Sequence, residues 1–295
     1  MRLGEAGAVN RPYKILQDDQ YIRACSYSMY VFLYDTVVRK EYRENGLKVG
    51  ISLPRQALSL VIAQRLDMQL IMGAASRHNS DFQLALMTRL PIVHQRIHTR
   101  PGLLNRPLLE VCVEETSGQH LTLFVTHLTA AFSRFRTGDY IRRREIQEII
   151  RIMAPLREQG MPHLLMGDFN SLAPGDAFVA SNLLRYIVGL DERRHADHEG
   201  DGNPHLDFVV PARLRFLSPL LRTIPDNSLL RTGFDALAYC YDARDTVRLL
   251  RRTGYVDNYR HMHPQARGFT CPAALPAGRI DYIFADPIMA QRLHN

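Results

Sequence analysis

A carboxylate and a carboxamide end the apolar segment HLLMGDFN, residues 163–170. Asp168 and Asn170 are two positions apart, so on an extended chain both side chains leave the same face. Gly167 allows another backbone segment or a ligand to come close. Such a pair can orient a water molecule and hydrogen-bond an anionic oxygen. Asp and Asn are also common where a strand turns into a loop, so this segment alone leaves a turn and a catalytic site both open.

A histidine ends another apolar segment, LTLFVTHL at 121–128, in a similar way. His127 alone is typical of a structural residue, but its strand is expected in the same sheet as the 163–170 segment. Arg106 opens the partner segment RPLLEVCVEE at 106–115, and an arginine fork binds phosphate well. Taken alone, Arg106 is an ordinary surface arginine. Both residues are therefore candidates for contact with an anionic group.

A second carboxylate lies within the apolar segment RIDYIFAD at 279–286. Asp281 would be costly to bury without a partner. It either forms a salt bridge with Arg279 or orients a histidine, as in other His–Asp pairs. The sequence alone leaves both interpretations open.

Two further groups of polar residues are weaker candidates. Arg142, Arg143 and Arg144 form a basic run at a helix start, which is typical of a solvated face. A Gly/Pro-rich segment carries a possible metal site without a fixed ligand spacing. Its residues are His195, Asp197, His198, Asp201 and His205. The sequence contains no P-loop, no G-x-S-x-G and no H-E-x-x-H motif.

The elements that must position these residues follow from the hydrophobic periodicity. Residues 106–115 and 121–128 alternate or run apolar around a Ser-Gly turn, which predicts an antiparallel hairpin. Pro155 is expected to bend or end the clearest helix early. Strands and helices alternate without a strict βαβ rhythm, so we expect a mixed sheet with helices on both sides. Predicted helices cover 55–66, 139–158, 178–190 and 244–253, and predicted strands cover 82–93, 163–170 and 279–286.

The composition is that of a globular protein with a basic balance. The chain has 295 residues, of which 46% are hydrophobic, and a formal charge of +7. This charge suits an anionic partner, although basic proteins without one are common. No apolar run is long enough for a spanning helix, and the first thirty residues contain no apolar signal region. The four cysteines lie far apart and predict isolated thiols in a reducing compartment, so the cytoplasm is the expected location.

Lysine usage divides the chain. All three lysines (Lys14, Lys40 and Lys48) lie in the first 48 residues, whereas the remainder uses arginine alone. We therefore expect residues 1–50 to be an atypical N-terminal segment of different origin from residues 51–295. The second part is expected to be one domain with a loop-rich insertion at about 191–235, because glycine and proline are frequent there.

Taken together, several motifs resemble the endonuclease/exonuclease/phosphatase superfamily of metal-dependent phosphodiesterases, which includes pancreatic deoxyribonuclease, apurinic endonucleases and neutral sphingomyelinases. The order and spacing match over about residues 66–287, and GDFN followed downstream by RIDYIF is a specific pair. The matching segments are LALMTRLPI (84–92), RPLLEVCVEE, VTHL, LLMGDFNSLAPGDA (164–177) and GFTCPAALPAGRIDYIFADP (268–287).

The resemblance implies a four-layered α/β sandwich of two packed mixed sheets flanked by helices. It also implies that Asp168 orients or deprotonates the attacking water and that Asn170 holds a phosphate oxygen. His127 would contact the scissile phosphate or its leaving group, and Arg106 would bind a neighbouring oxygen. Asp281 would orient a late catalytic histidine. A divalent cation, Mg²⁺ or Mn²⁺, would neutralise charge developing on the phosphate.

The chain departs from the superfamily pattern at both ends. The stretch GLKVGISLPRQAL (46–58) has no acidic residue where the metal-binding Glu is expected. The late Asp-His pair does not follow RIDYIF, so the metal ligands are unknown. We expect a sandwich that is incomplete at both ends.

Two functions are compatible with this pattern. The first is a hydrolase that cleaves phosphodiester or phosphomonoester bonds, nuclease-like or lipid phosphodiesterase-like, with nucleic acid or a phospholipid headgroup as substrate. The second is a catalytically impaired member that binds nucleic acid or a phosphorylated ligand. No protein partner and no transmembrane segment are predicted.

Overall fold

A computed structural model describes residues 23–25, 55–74, 84–130, 136–197, 210, 212–241, 244–272 and 274–293. The strands in this part of the chain, numbered in chain order, are β1 Arg23–Cys25, β2 Gln69–Met72, β3 Ala85–Thr88, β4 Ile92–His98, β5 Leu108–Glu114, β6 His120–His127, β7 His163–Asp168, β8 Val256–Asp257 and β9 Asp281–Ala285. The α-helices are α1 Arg55–Arg65, α2 Arg136–Glu158, α3 Ala180–Asp197, α4 Ser218–Thr223, α5 Ser228–Tyr241, α6 Asp245–Arg252, α7 Asn258–Met262 and α8 Pro287–Ala290.

Six strands form the larger sheet, in the order β4-β5-β6-β7-β9-β8. The β6–β7 pair is parallel, and its neighbours in the sheet pair antiparallel, so this sheet is mixed. Helix α2 connects the two parallel strands, as a crossover between parallel strands requires. The predicted hairpin of β5 and β6 is confirmed, with Val111 opposite Leu123.

The smaller sheet has the order β1-β3-β2, and its described pairs are antiparallel. It packs face to face on the larger sheet through buried aliphatic side chains. Ile71 and Leu86 on the smaller sheet share one core with Val111, Leu123 and Met166 on the larger sheet. Alternating residues of each strand face this layer, as the pleat demands.

Helices cover the outer faces of both sheets. On the larger sheet, Phe124 and Phe284 pack against Ile149 of α2 and Leu250 of α6. On the smaller sheet, Ala63 of α1 packs with Met87 of β3. The order helix, sheet, sheet, helix confirms the predicted four-layered α/β sandwich.

The insertion expected at about 191–235 differs from the prediction. Helix α3 continues to Asp197, and residues 212–241 form two 3₁₀ helices (Ala212–Leu217 and Ile224–Asp226) together with α4 and α5. The prolines favour loops when the sequence is considered alone, but Pro219 and Pro225 each occupy the first turn of a helix. Proline fits that position, since its missing N–H has no helical acceptor there.

Three further expectations concern Pro155, the segments at 1–50 and 195–205, and a membrane-spanning helix. Helix α2 runs past Pro155 to Glu158 rather than ending early. Residues 1–50, apart from strand β1, and the side chains of the possible His/Asp metal site at 195–205 lie outside the described residues. No helix among the described residues is both long and apolar enough to cross a membrane.

Glu110 of β5 carries a buried polar cluster on the helix-facing side of the larger sheet. Its carboxylate lies 2.5 Å from His98 Nε2 and 3.1 Å from His94 Nε2, both on the edge strand β4. The hydrogen bond with His98 is the main reason that the pKa of Glu110 lies below its ordinary value of 4.5. Ionised Glu110 therefore stabilises the folded protein.

We predict that Glu110→Gln lowers the free energy of unfolding at neutral pH by about 2 kcal/mol, since two hydrogen bonds to a charged group weaken. The folded-state pKa is lowered, so the wild-type advantage is complete above the ordinary glutamate value of 4.5 and shrinks as the pH falls through and below it. Urea unfolding across this range measures the difference. Glu114→Gln, an exposed change on the same strand, is the matched control. A difference that does not vary with pH would contradict the interpretation.

Candidate active site

Three predicted site residues lie in one row across the central strands of the larger sheet. In the parallel β6–β7 pair, His127 is the register partner of Asp168. In the antiparallel β7–β9 pair, Asp168 is the register partner of Asp281. The row therefore combines the carboxyl ends of β6 and β7 with the amino end of β9. Register alone brings together residues that are up to 154 positions apart.

The row continues the strand faces that point toward the smaller sheet. Val125, Met166 and Ile283 precede or follow the three site residues by two positions and belong to the core between the sheets. Side chains alternate along a strand, so His127, Asp168 and Asp281 share that face. The site thus lies where the apolar layer between the two sheets ends.

Gly167 is required by the close approach of β6 and β7. Its φ is +136°, and a Cβ at this position would lie 1.9 Å from the carbonyl oxygen of Thr126. Any side chain here would push the two parallel strands apart. The role predicted from sequence, to allow a backbone segment to come close, agrees with this contact.

Asn170 reverses the chain direction after β7. Its φ is +46°, a left-handed conformation that Asn tolerates better than most residues. Its backbone N–H donates to Asp168 Oδ1 at 2.8 Å, and its side-chain Nδ2 donates to the carbonyl of Leu128 at 2.9 Å. Both interpretations of the sequence meet here, because Asn170 forms the turn and also fixes the Asp168 carboxylate.

His127 and Arg106 both lie near Asp168. His127 Nε2 lies 3.5 Å from Asp168 Oδ2. Burial lowers the pKa of His127 to about 4 against the opposing effect of Asp168, so the imidazole is neutral at physiological pH. Arg106 NH1 donates to the carbonyls of His127 and Leu128 at 3.2 and 2.9 Å. Burial lowers the pKa of Arg106, and the negative charge of Asp168 opposes this.

Asp281 carries a carboxylate that lies beside a second carboxylate, that of Asp168. Its Oδ1 atom is buried and has no hydrogen-bond partner among the described residues. Burial and the neighbouring charge of Asp168 raise the pKa of Asp281 well above its ordinary value, and a hydrogen bond with Thr270 partly offsets them. A proton or a cation between Asp168 and Asp281 would remove their repulsion.

Sequence reasoning missed two residues beside this carboxylate. Thr270 Oγ1 accepts the backbone N–H groups of Ile280 and Asp281, at 3.1 and 3.3 Å, and so fixes the start of β9. Burial and the charges of Asp168 and Asp281 raise the pKa of Cys271, which keeps its thiol neutral. Both residues belong to GFTCPAALPAG, so they could have been inferred only from its position before RIDYIF.

The salt bridge considered between Arg279 and Asp281 is not formed. Arg279 is fully buried and binds Asp257 through two hydrogen bonds of 2.7 and 2.5 Å. Its Nε donates to Asp176 at 2.8 Å, and Arg260 binds the other oxygen of Asp176. Arg279 lies before β9, which begins at Asp281, so the alternation of strand side chains does not set its direction. Its guanidinium is occupied by Asp257 and Asp176, and Asp281 remains in the site.

The basic run at the start of α2 divides between two environments. Arg143 and Arg144 are exposed, as a solvated face predicts, but Arg142 is buried. Arg142 NH1 donates to the carbonyl of Thr129, which follows the His127 strand. Glu145 accepts the backbone N–H and hydroxyl of the same Thr129 at 2.9 and 2.7 Å. The interpretation as a wholly solvated face is therefore wrong for Arg142.

Comparisons with known proteins find solved structures of low overall similarity. No family model and no curated protein match the sequence. An AP endonuclease from Archaeoglobus fulgidus has a similar structure, with a TM-score of 0.45 and 14% identity over 90% of this chain and 84% of that one. The 3′ phosphatase NExo from Neisseria, solved with a product DNA hairpin, has a TM-score of 0.43. It is 13% identical over 88% of this chain and 84% of that one.

A third similar structure is an endonuclease/exonuclease/phosphatase protein from Beutenbergia cavernae. Its TM-score is 0.41, with 14% identity over 78% of this chain, which spans half of that protein's length. At this level of similarity no residue role transfers between the chains. The roles proposed for His127, Asp168 and Asp281 therefore rest on their own contacts.

We predict that Gly167→Ala destabilises the protein by about 3 kcal/mol or more, because the new Cβ overlaps the Thr126 carbonyl and strains the parallel pair. Gly118→Ala is the matched control, since Gly118 also has a positive φ but no atom lies within 4 Å of its Cβ position. The control should cost only about 1 kcal/mol. Thermal and urea unfolding of both variants measure the difference, and equal losses would show that the contact does not matter.

Proposed function

We propose that this chain hydrolyses phosphoester bonds by activating a water molecule at the row of His127, Asp168 and Asp281. The observation that supports this proposal is the strand register, which sets a neutral histidine, an oriented carboxylate and a second carboxylate side by side. A cationic guanidinium, Arg106, lies next to them. This combination suits an anionic substrate attacked by water. The motifs that resemble the superfamily contain these same residues.

Each side chain has a role that its contacts allow. Asp168, held through Oδ1 by the Asn170 N–H, orients the attacking water and accepts its proton. His127 is neutral, and it donates a hydrogen bond to a phosphate oxygen or to the leaving oxygen. An arginine has five N–H donors, and the Arg106 guanidinium binds a second phosphate oxygen beyond its two carbonyl contacts. Asn170 binds a further phosphate oxygen.

The carboxylates of Asp168 and Asp281 fit a divalent cation. The buried Oδ1 of Asp281 lacks a hydrogen-bond partner among the described residues, and a cation would supply one. The part of the chain that the structure describes contains no group of three or more His, Cys, Asp or Glu side chains arranged to hold a metal. Mg²⁺ is commonly held by one or two carboxylates together with substrate phosphates, so two protein ligands suffice. When bound, the cation would stabilise charge developing on the phosphate.

A second candidate function is binding without turnover. It is favoured by the sequence, because the stretch 46–58 has no acidic residue where the metal-binding Glu of the superfamily pattern is expected. In this case Arg106 and the basic surface would hold nucleic acid or another phosphorylated ligand. Such binding weakens as salt increases, because it releases counterions from the phosphates.

We predict that Asp168→Asn lowers the turnover of bis(p-nitrophenyl) phosphate by about a thousandfold in Mg²⁺ or Mn²⁺, because the variant cannot accept the proton of the water. Asp226→Asn is the matched control, since its side chain is 84% exposed and forms an ion pair with Arg185. A chelator should abolish wild-type turnover. Unfolding curves verify that both variants are folded.

Two results would contradict the proposal. The first is equal turnover by Asp168→Asn and wild-type protein. The second is folded wild-type protein that turns over neither diesters nor monoesters with either cation. Salt-dependent DNA binding in the second case would favour the binding function.

A further inference from the structure

Helix α5 presents an exposed face that carries no charge. Every exposed residue of this helix with a described side chain is uncharged, and three of them are leucines. Leu229 is 80% exposed and Leu237 is 57% exposed. The exposed residues are Ser228, Leu229, Leu230, Thr232, Gly233, Ala236, Leu237, Tyr239 and Cys240. Surface helices normally place charged residues on their solvent side, so this face is suited to an apolar environment.

The other side of α5 is already packed. Phe234 contacts the core formed by Leu184 and Ile187 of α3 together with Ile224. Asp235 accepts hydrogen bonds from the backbone N–H and hydroxyl of Ser181, at 2.7 and 2.9 Å. These contacts fix the rotation of α5 about its axis. The uncharged face therefore points outward as a consequence of the fold.

The preceding helices also expose apolar side chains and carry charge. Phe216 is 75% exposed and Leu220 is 53% exposed. Residues 212–241 contain seven of the twelve large exposed hydrophobic residues found in the described part of the chain. Arg213 and Arg215 are exposed beside Phe216, and the exposed Asp226 is ion-paired with Arg185. The segment thus combines exposed aliphatic and aromatic side chains with arginines.

The end of α5 reaches the loop that follows the site. The guanidinium carbon of Arg244 lies 4.3 Å from the centre of the Tyr239 ring. NH1 of the same arginine donates to the carbonyls of Ala173 and Asp176, three and six positions after Asn170. A surface bound by α5 would therefore lie beside the loop that leaves the site.

We propose that this surface, residues 212–241, binds an anionic phospholipid membrane and presents headgroup phosphodiesters to the site. The second half of this statement rests on the proposed hydrolysis. Leucine and phenylalanine partition into the headgroup and acyl boundary, and arginines at the edge contact anionic lipids. Helix α5 has 14 residues and is about 21 Å long, too short to span a bilayer, so it would lie along the surface.

Two other occupants suit the surface less well. Nucleic acid binding relies on cations along the contact, and the exposed face of α5 has none. A second copy of this chain, in a symmetric pair, would bring the same arginines to both sides of the contact. An anionic membrane matches both features of this surface, since it accepts apolar side chains and attracts the arginines.

The test is sedimentation of the full chain with vesicles of phosphatidylcholine, with and without phosphatidylserine. Wild-type protein should bind the phosphatidylserine vesicles more tightly, and added salt should weaken binding. The variant Leu229→Gln/Leu237→Gln should bind about tenfold more weakly for each leucine replaced. Leu60→Gln changes a leucine on α1 that is 50% exposed; it is the matched control and should bind as wild type does. Turnover of soluble bis(p-nitrophenyl) phosphate should be unchanged in both variants.

The outcomes separate this inference from the proposed hydrolysis. Soluble turnover without vesicle binding overturns the membrane surface alone. Vesicle binding that depends on Leu229 and Leu237 but without any turnover supports the membrane surface and overturns hydrolysis. Equal binding to both kinds of vesicle overturns the role of charge. Self-association that the double variant abolishes, measured by sedimentation velocity, assigns the face to a second copy instead.

Discussion

The register of β6, β7 and β9 is the constraint on which the site depends. A shift of β7 by one residue would turn Asp168 toward the helices and expose Leu165 to the layer between the sheets. The buried side chains of Val125 and Met166 and the partly buried Ile283 prevent such a shift, because each would leave the core between the sheets. The geometry of the row is therefore specified by hydrophobic alternation, and the polar residues occupy the positions where that alternation ends.

Polar contacts then fix the individual side chains at this end of the sheet. The backbone N–H of Asn170 donates to Asp168 Oδ1 at 2.8 Å where the chain leaves β7. Thr270 Oγ1 accepts two backbone N–H groups, at 3.1 and 3.3 Å, where the chain enters β9. Glu145 and Arg142 of α2 hold Thr129 from the other side. The contact from Asn170 orients the Asp168 carboxylate, and the other contacts fix the backbone on either side of it. An oriented carboxylate needs no rearrangement when substrate binds.

Much of this arrangement could be predicted from the sequence, for a specific reason. Asp168, His127 and Asp281 each follow or open an apolar segment, so their position at a sheet edge follows from local patterns. The partners of Arg279 could not be predicted, because Asp176 is 103 residues away along the chain. Asp281 is a carboxylate much nearer in sequence and is therefore the expected partner. The helices at 212–241 were missed because proline and glycine suggested loops. Their apolar residues point both inward and outward, so no clear helical stripe is visible.

The buried network of Arg279, Asp257, Asp176 and Arg260 constrains how the sequence can vary. Two positive and two negative groups balance there, and removal of any one leaves an uncompensated charge away from water. Single substitutions at these positions are therefore costly, whereas joint replacement by apolar residues of similar volume could be neutral. Lineages that carry this fold should keep the four residues as a set or exchange them as a set. Sequence drift around the site is thereby restricted by charge balance among residues outside the row of His127, Asp168 and Asp281.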